Sequence, residues 1–153
     1  MTPDERLAEL GIELPTPRSP AGLYVPAVRA GALLFMSGAG PVRADGGVVT
    51  GKVGRDIDID EARDAARLTG LQLLATARVE LGSLAAVKRV VKILGMVNCA
   101  PGFNRTPQVI DGCSELFIDV FGEPGRSARS AVGMAELPFD ICVEIEVVVE
   151  IDG

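Results

Sequence analysis

Nine residues near the C-terminus, Val143-Glu144-Ile145-Glu146-Val147-Val148-Val149-Glu150-Ile151, carry an apolar residue at every second position. Side chains of a β-strand point to opposite faces in turn. Val143, Ile145, Val147, Val149 and Ile151 therefore share one face; Cys142, Glu144, Glu146, Val148 and Glu150 share the other. The first face must be covered by helices, and the second presents carboxylates. Whatever this chain folds into contains a sheet with one such two-sided strand.

The rest of the chain supplies the other layers. Asp4 to Gly11 reads as a short helix within residues 2–12, with Thr2 as N-cap, Pro3 in the first turn and Gly11 as stop. Pro15, Pro17 and Pro20 make the next stretch an extended connector. Tyr24–Val28 and Leu33–Ser37 read as strands, and a hairpin turns at Asp45-Gly46-Gly47 before Val48-Val49. Asp58 with Glu61 forms a capping box for a long helix whose Ala62, Ala65, Ala66, Thr69, Leu73 and Ala77 make a narrow face, ended by Gly82. Val87–Cys99 is a strand, and Val109 to Phe121 repeats at helical spacing. Two last strands, about 128–134 and 141–151, form a hairpin. The order β-β-β-α-β-α-β-β predicts an α+β fold: a six-stranded mixed sheet with two main helices on one face. Residues 1–153 form a single domain, with 1–20 as an N-terminal extension.

Two helices cover only one face. In the strand at 87–99, Val90, Leu94 and Met96 alternate with Val91, Ile93 and Val97, so both faces are apolar. Leu33 and Phe35 alternate likewise with Leu34 and Met36. The uncovered face is expected to be buried by another subunit.

Composition narrows the function. There is no histidine, so proton transfer must rest on Arg, Glu/Asp, Cys, Ser, Tyr or backbone groups. A net charge of −6, no Trp and only 4% aromatic residues argue against a nucleic-acid partner. Cys99, Cys113 and Cys142 are widely spaced with no C-x-x-C pair, which reads as reduced buried thiols rather than a metal site. No signal peptide is recognisable at the start, and no apolar run is long enough to cross a membrane. A cytoplasmic protein is expected.

The chemistry concentrates in the last quarter. With the hairpin turning near Leu137-Pro138, Arg129 would stand opposite Glu146 and diagonal to Glu144, roughly 7–8 Å away. An Arg fork binds a small carboxylate in bidentate fashion, and a partly buried Glu suits acid/base work on a water. The alternative is an Arg129–Glu146 cross-strand ion pair that stabilises an oligomer.

These segments resemble one family over nearly the whole chain: Tyr24-Val25-Pro26, Ser37-Gly38, the helix from Asp111 to Phe121, Ala128-Arg129-Ser130, Leu137-Pro138 and Val143-Glu144-Ile145-Glu146. The chain is similar to the Rid/YjgF superfamily of imine deaminases, also labelled endoribonuclease L-PSP. The resemblance implies a chorismate-mutase-like fold, a homotrimer with clefts between subunits, and no metal or organic cofactor. It implies hydrolysis of 2-imino or enamino acids to 2-keto acids and ammonia. Arg129 would hold the substrate carboxylate and Glu144 the attacking water, with Tyr24, Ser37 and Gly38 lining the cleft. Two departures stand out. Ala131 occupies the place of a Cys in many members, and Asp111 or a neighbour that of an Asn. A non-catalytic protein that binds a small keto or amino acid in the same cleft is the alternative.

Overall fold

The computed structural model covers residues 1–153. Its elements are α1 (Pro3–Glu9), β1 (Ala27–Ala30), β2 (Leu33–Ala39), α2 (Ile59–Leu81), β3 (Val87–Asn98), α3 (Thr106–Phe121), β4 (Ala128–Met134) and β5 (Val143–Ile151). The fold is α+β, with three helices and one five-stranded mixed sheet in the order β1-β2-β5-β3-β4.

Local signals set the helix ends. Thr2 and Asp58 cap α1 and α2 with reciprocal capping boxes to Glu5 and Glu61. Gly82 closes α2 in the left-handed region, where glycine carries no Cβ penalty. The small face of α2 is buried, and α3 lies close enough that a Cβ on Gly112 would collide with the Arg63 carbonyl oxygen. Both helices and the odd-numbered residues of β5 share one core, which also takes in Leu7 of α1 and Leu14 of the connector.

Three expectations change. The sheet has five strands, not six, because residues 42–50 make only isolated bridges such as Val42 with Val48. The strand expected at 24–28 begins at Ala27, leaving Tyr24 in irregular backbone. Most consequentially, β4 and β5 do not form a hairpin. β4 pairs in parallel with β3, Arg129 opposite Ile93, and β5 pairs antiparallel with the other edge of β3. The reason lies in α3: a strand, a helix and a second strand form a crossover unit that returns parallel. Residues 135–142 then carry the chain across β3 to its far side.

A register shift between Val90 and Lys92 breaks the alternation expected in β3. Val90, Ile93 and Val97 therefore all reach the helix-covered core. The opposite sheet face has no helix over it; Phe35, Val28 and Val132 are exposed there, with Leu94 and Met96 between them in register.

Candidate functional site

The sequence-selected residues fall into two groups at different ends of the sheet. The first lines a groove of about 870 Å³ bounded by the connector at Arg18–Gly22, Tyr24, the end of β2 and the turn at Pro138–Phe139. Tyr24, Ser37, Gly38 and Glu144 all border it. Ser37 ties the Tyr24 segment down: its Oγ donates to the Val25 carbonyl at 2.7 Å and its backbone N–H donates to Pro26 at 2.9 Å. The Tyr24 hydroxyl accepts from the Ala21 N–H at 3.2 Å, and the half-exposed residue lines the groove.

Gly38 sits where the pairing of β2 with β5 shifts register between Met36 and Ala39. A bulge re-aims neighbouring side chains, and here it admits the Glu144 carboxylate. A Cβ on residue 38 would collide with Glu144 Oε2. Burial first, and the adjacent charge of Glu146 second, hold the Glu144 carboxyl above the ordinary carboxylate range. The bare sheet face thus offers a carboxyl group able to take up and release a proton closer to neutrality.

The second group stands on β4, the sheet's outer strand. The Arg129 Nη1 donates to Asp111 Oδ1 at 2.7 Å and to Ser114 Oγ at 3.1 Å, and its Nη2 donates to the Pro107 carbonyl at 3.4 Å. Asp111 and Ser114 are one turn apart on α3, which presents both to the same guanidinium. Two residues along, the Ala131 carbonyl accepts from Thr106 Oγ1 at 2.9 Å, pinning β4 to the start of α3.

Arg129 and Glu144 are therefore not brought together within one chain. Arg129 lies in the row of Ile93 and Val147, on the helix side. Glu144 lies on the bare side, two strands away, or roughly 10 Å across the sheet. The Arg129–Glu146 pair weighed from the sequence is also absent; the guanidinium is taken by Asp111 instead. Sequence reasoning missed Ser114, Gln72, Thr76 and Phe139. For the helix residues a signal exists: Thr69, Gln72 and Thr76 form a polar stripe at helical spacing on α2, and Gln72 is buried, accepting from the Arg18 N–H at 3.3 Å.

The thiols are ordinary. Cys113 and Cys142 are buried and unpaired, with burial pushing both up to about 12. No three His, Cys, Asp or Glu side chains converge as metal ligands would. No helix is long and apolar enough to cross a membrane.

The α+β chain thus carries two separate polar clusters, one on the outer strand β4 and one beside the bulge in β2. Residues 4–151 match the family described as YjgF/chorismate mutase-like, putative endoribonuclease, and the chain belongs to it. Protein TCP17 of Trypanosoma cruzi is 43% identical over 148 residues, 96% of this chain and 92% of that protein. The crystal structure of Atu1372 from Agrobacterium tumefaciens, of unknown function, is 45% identical and superposes with a TM-score of 0.89, covering 99% of this chain and 93% of that one. A putative endoribonuclease from Shewanella oneidensis MR-1 is 29% identical with a TM-score of 0.95, over 99% and 100% of the two chains.

Proposed function

We propose that the protein is a homotrimeric, cytoplasmic hydrolase of reactive 2-imino or enamino acids. Its sites combine Arg129 of one subunit with Tyr24, Ser37, Gly38 and Glu144 of the next. The observation that carries this reading is the separation of Arg129 from Glu144 on opposite faces of one sheet, with the Arg129 half on an outer strand. Two different half-sites on one chain would complete each other through a head-to-tail interface, which forms a ring where its rotation closes. The exposed Val28, Phe35 and Val132 give that interface apolar area to bury.

In the reaction Arg129 holds the substrate carboxylate. Glu144 takes a proton from water as the water oxygen bonds to the imine carbon, and passes it to the nitrogen. Glu144 then takes the hydroxyl proton of the resulting carbinolamine and hands it to the amine; as the C=O bond forms the C–N bond breaks, leaving a 2-keto acid and ammonia. A carboxyl whose proton affinity is raised by burial and by the neighbouring Glu146 suits a group that must both accept and return that proton. The reading needs no metal or organic cofactor, and the three unpaired thiols fit a reducing compartment. With no histidine and a net charge of −6, the chain has little of what RNA binding and cleavage would call for.

The test is release of ammonia and keto acid from imines generated in situ. Wild type accelerates it and Arg129→Ala does not; equal rates overturn the proposal. One observation favours a second reading, a non-catalytic carboxylate-binding protein: Asp111 already occupies the guanidinium. In that case 2-keto acids bind to wild type, Arg129→Ala abolishes binding, and no ammonia is ever released.

A further inference from the structure

The turn between β4 and β5 holds two consecutive non-glycine residues in the left-handed region: Phe139 at φ 59° and Asp140 at φ 57°. L-residues with a Cβ avoid this conformation, and bulky ones avoid it most. Such strain persists only where the surroundings over-determine it, and it clusters at functional sites. Here the surroundings are explicit. Asn98, fully buried, donates from Nδ2 to Asp140 Oδ1 at 3.0 Å and to the Ile141 carbonyl at 3.1 Å. Its Oδ1 accepts from Lys52 Nζ at 2.8 Å, and Lys52 also donates to the Ala135 carbonyl. The Gly51 N–H donates to the Asp140 carbonyl at 2.9 Å. Both ends of the turn are clamped to the body of the protein.

What the clamped turn displays is the Phe139 side chain, 77% exposed at the edge of the groove that holds Tyr24 and Glu144. An exposed aromatic ring on strained backbone contributes nothing to the core of this chain. Pro138 and Ile141 add apolar surface to the same groove, and Glu144 and Gln72 line it with polar groups. The groove therefore offers both polar and apolar contacts.

We propose that Phe139 determines substrate specificity, its ring packing on an apolar side chain carried by the 2-imino or 2-keto acid. This deepens the proposed function and rests on it for the class of ligand. The site thus favours acids with branched aliphatic or aromatic side chains over those with a methyl group. A ring in contact with such a side chain discriminates by about tenfold or more.

The experiment compares wild type, Phe139→Asn and Phe139→Leu. Asn tolerates the left-handed backbone and so keeps the turn without the ring, while Leu restores apolar contact. Two readouts are used: kcat/KM for the imines formed in situ from leucine and from alanine, and calorimetric binding of 4-methyl-2-oxopentanoate and pyruvate. Wild type is expected to prefer the leucine-derived ligands by about tenfold, Phe139→Asn to lose that preference with the alanine-derived ligands changed less than twofold, and Phe139→Leu to recover most of it. If turnover is intact and Phe139→Asn leaves the preference unchanged, the specificity role fails while the proposed function stands. If no imine is hydrolysed but the binding preference still depends on Phe139, the specificity role stands and the hydrolase reading fails. No binding and no turnover by wild type overturns both. If Phe139→Asn instead changes the sedimentation coefficient, the ring belongs to a subunit contact, and the proposal is overturned.

Discussion

Asp111→Asn is expected to tighten the binding of small carboxylates. In the folded chain the Arg129 guanidinium already has an anionic partner, 2.7 Å away on α3. A ligand carboxylate arriving at Arg129 would lie about 5 Å from the Asp111 carboxylate. Two like charges at that distance repel by about 3 kcal/mol at an effective dielectric of 20 and about 1 kcal/mol in water. The Asp111 side chain is 43% exposed and that of Arg129 23%, so solvent screening puts the value at the low end, about 1–1.4 kcal/mol. That corresponds to roughly 5- to 10-fold in Kd. Asn keeps an Oδ1 acceptor for Nη1, and Ser114 and Pro107 keep theirs, so the guanidinium stays oriented. Calorimetric titration with 2-oxobutanoate at low and high salt measures the effect. The variant should bind more tightly at low salt, and the gap should narrow as salt screens the repulsion. Equal or weaker binding by Asp111→Asn would refute the reasoning and make Asp111 a positioning partner of Arg129 instead.

Three further outcomes follow from the same contacts. Because burial and Glu146 raise the Glu144 carboxyl, the native state holds its proton more tightly than the unfolded chain does. This stabilisation is full below the ordinary carboxylate value and is lost as pH rises through the raised one; Glu144→Gln should flatten that slope in urea titrations and leave the protein more stable at pH 7. Asn98→Ala removes two donated bonds and one acceptor of the Lys52 ammonium, which keeps Ala135 and Glu136, and should cost about 1–3 kcal/mol in urea unfolding; a loss below about 0.5 kcal/mol would contradict the clamp. Gly112→Ala forces a Cβ into the Arg63 carbonyl and must separate α2 from α3, at about 1–3 kcal/mol read from the shift in the thermal midpoint.

Much of this architecture is legible in the sequence where a local rule acts alone. The capping boxes at Thr2 and Asp58, the small buried face of α2 and the strict alternation of β5 each need only a few residues to declare themselves. Pairing is different. The patterns of β4 and β5 fit a hairpin as well as two strands that flank β3, and only the crossover through α3 decides between them. That choice moves Arg129 from the face of Glu144 to the opposite one, so the hairpin geometry expected from the sequence brings together two side chains that the fold separates. The bulge in β3 follows no alternation rule and carries Val90 into the core. Phe139 is invisible for a sharper reason: its bulky type disfavours the left-handed backbone it adopts, and the clamp that Asn98 and Gly51 place on the adjacent Asp140 comes from distant parts of the chain.

The central claim is that Arg129 and Glu144 meet only across a subunit boundary. Arg129→Ala and Glu144→Gln, each inactive alone, are unfolded together in equal amounts and refolded, and the imine hydrolysis rate of the mixture is measured. Each cleft of a mixed ring draws its Arg from one subunit and its Glu from the next, so random assembly leaves about a quarter of the clefts intact. The expected result is about a quarter of the wild-type rate. No recovery, with mixed oligomers verified to form, would place both groups in a site within one chain and contradict the account.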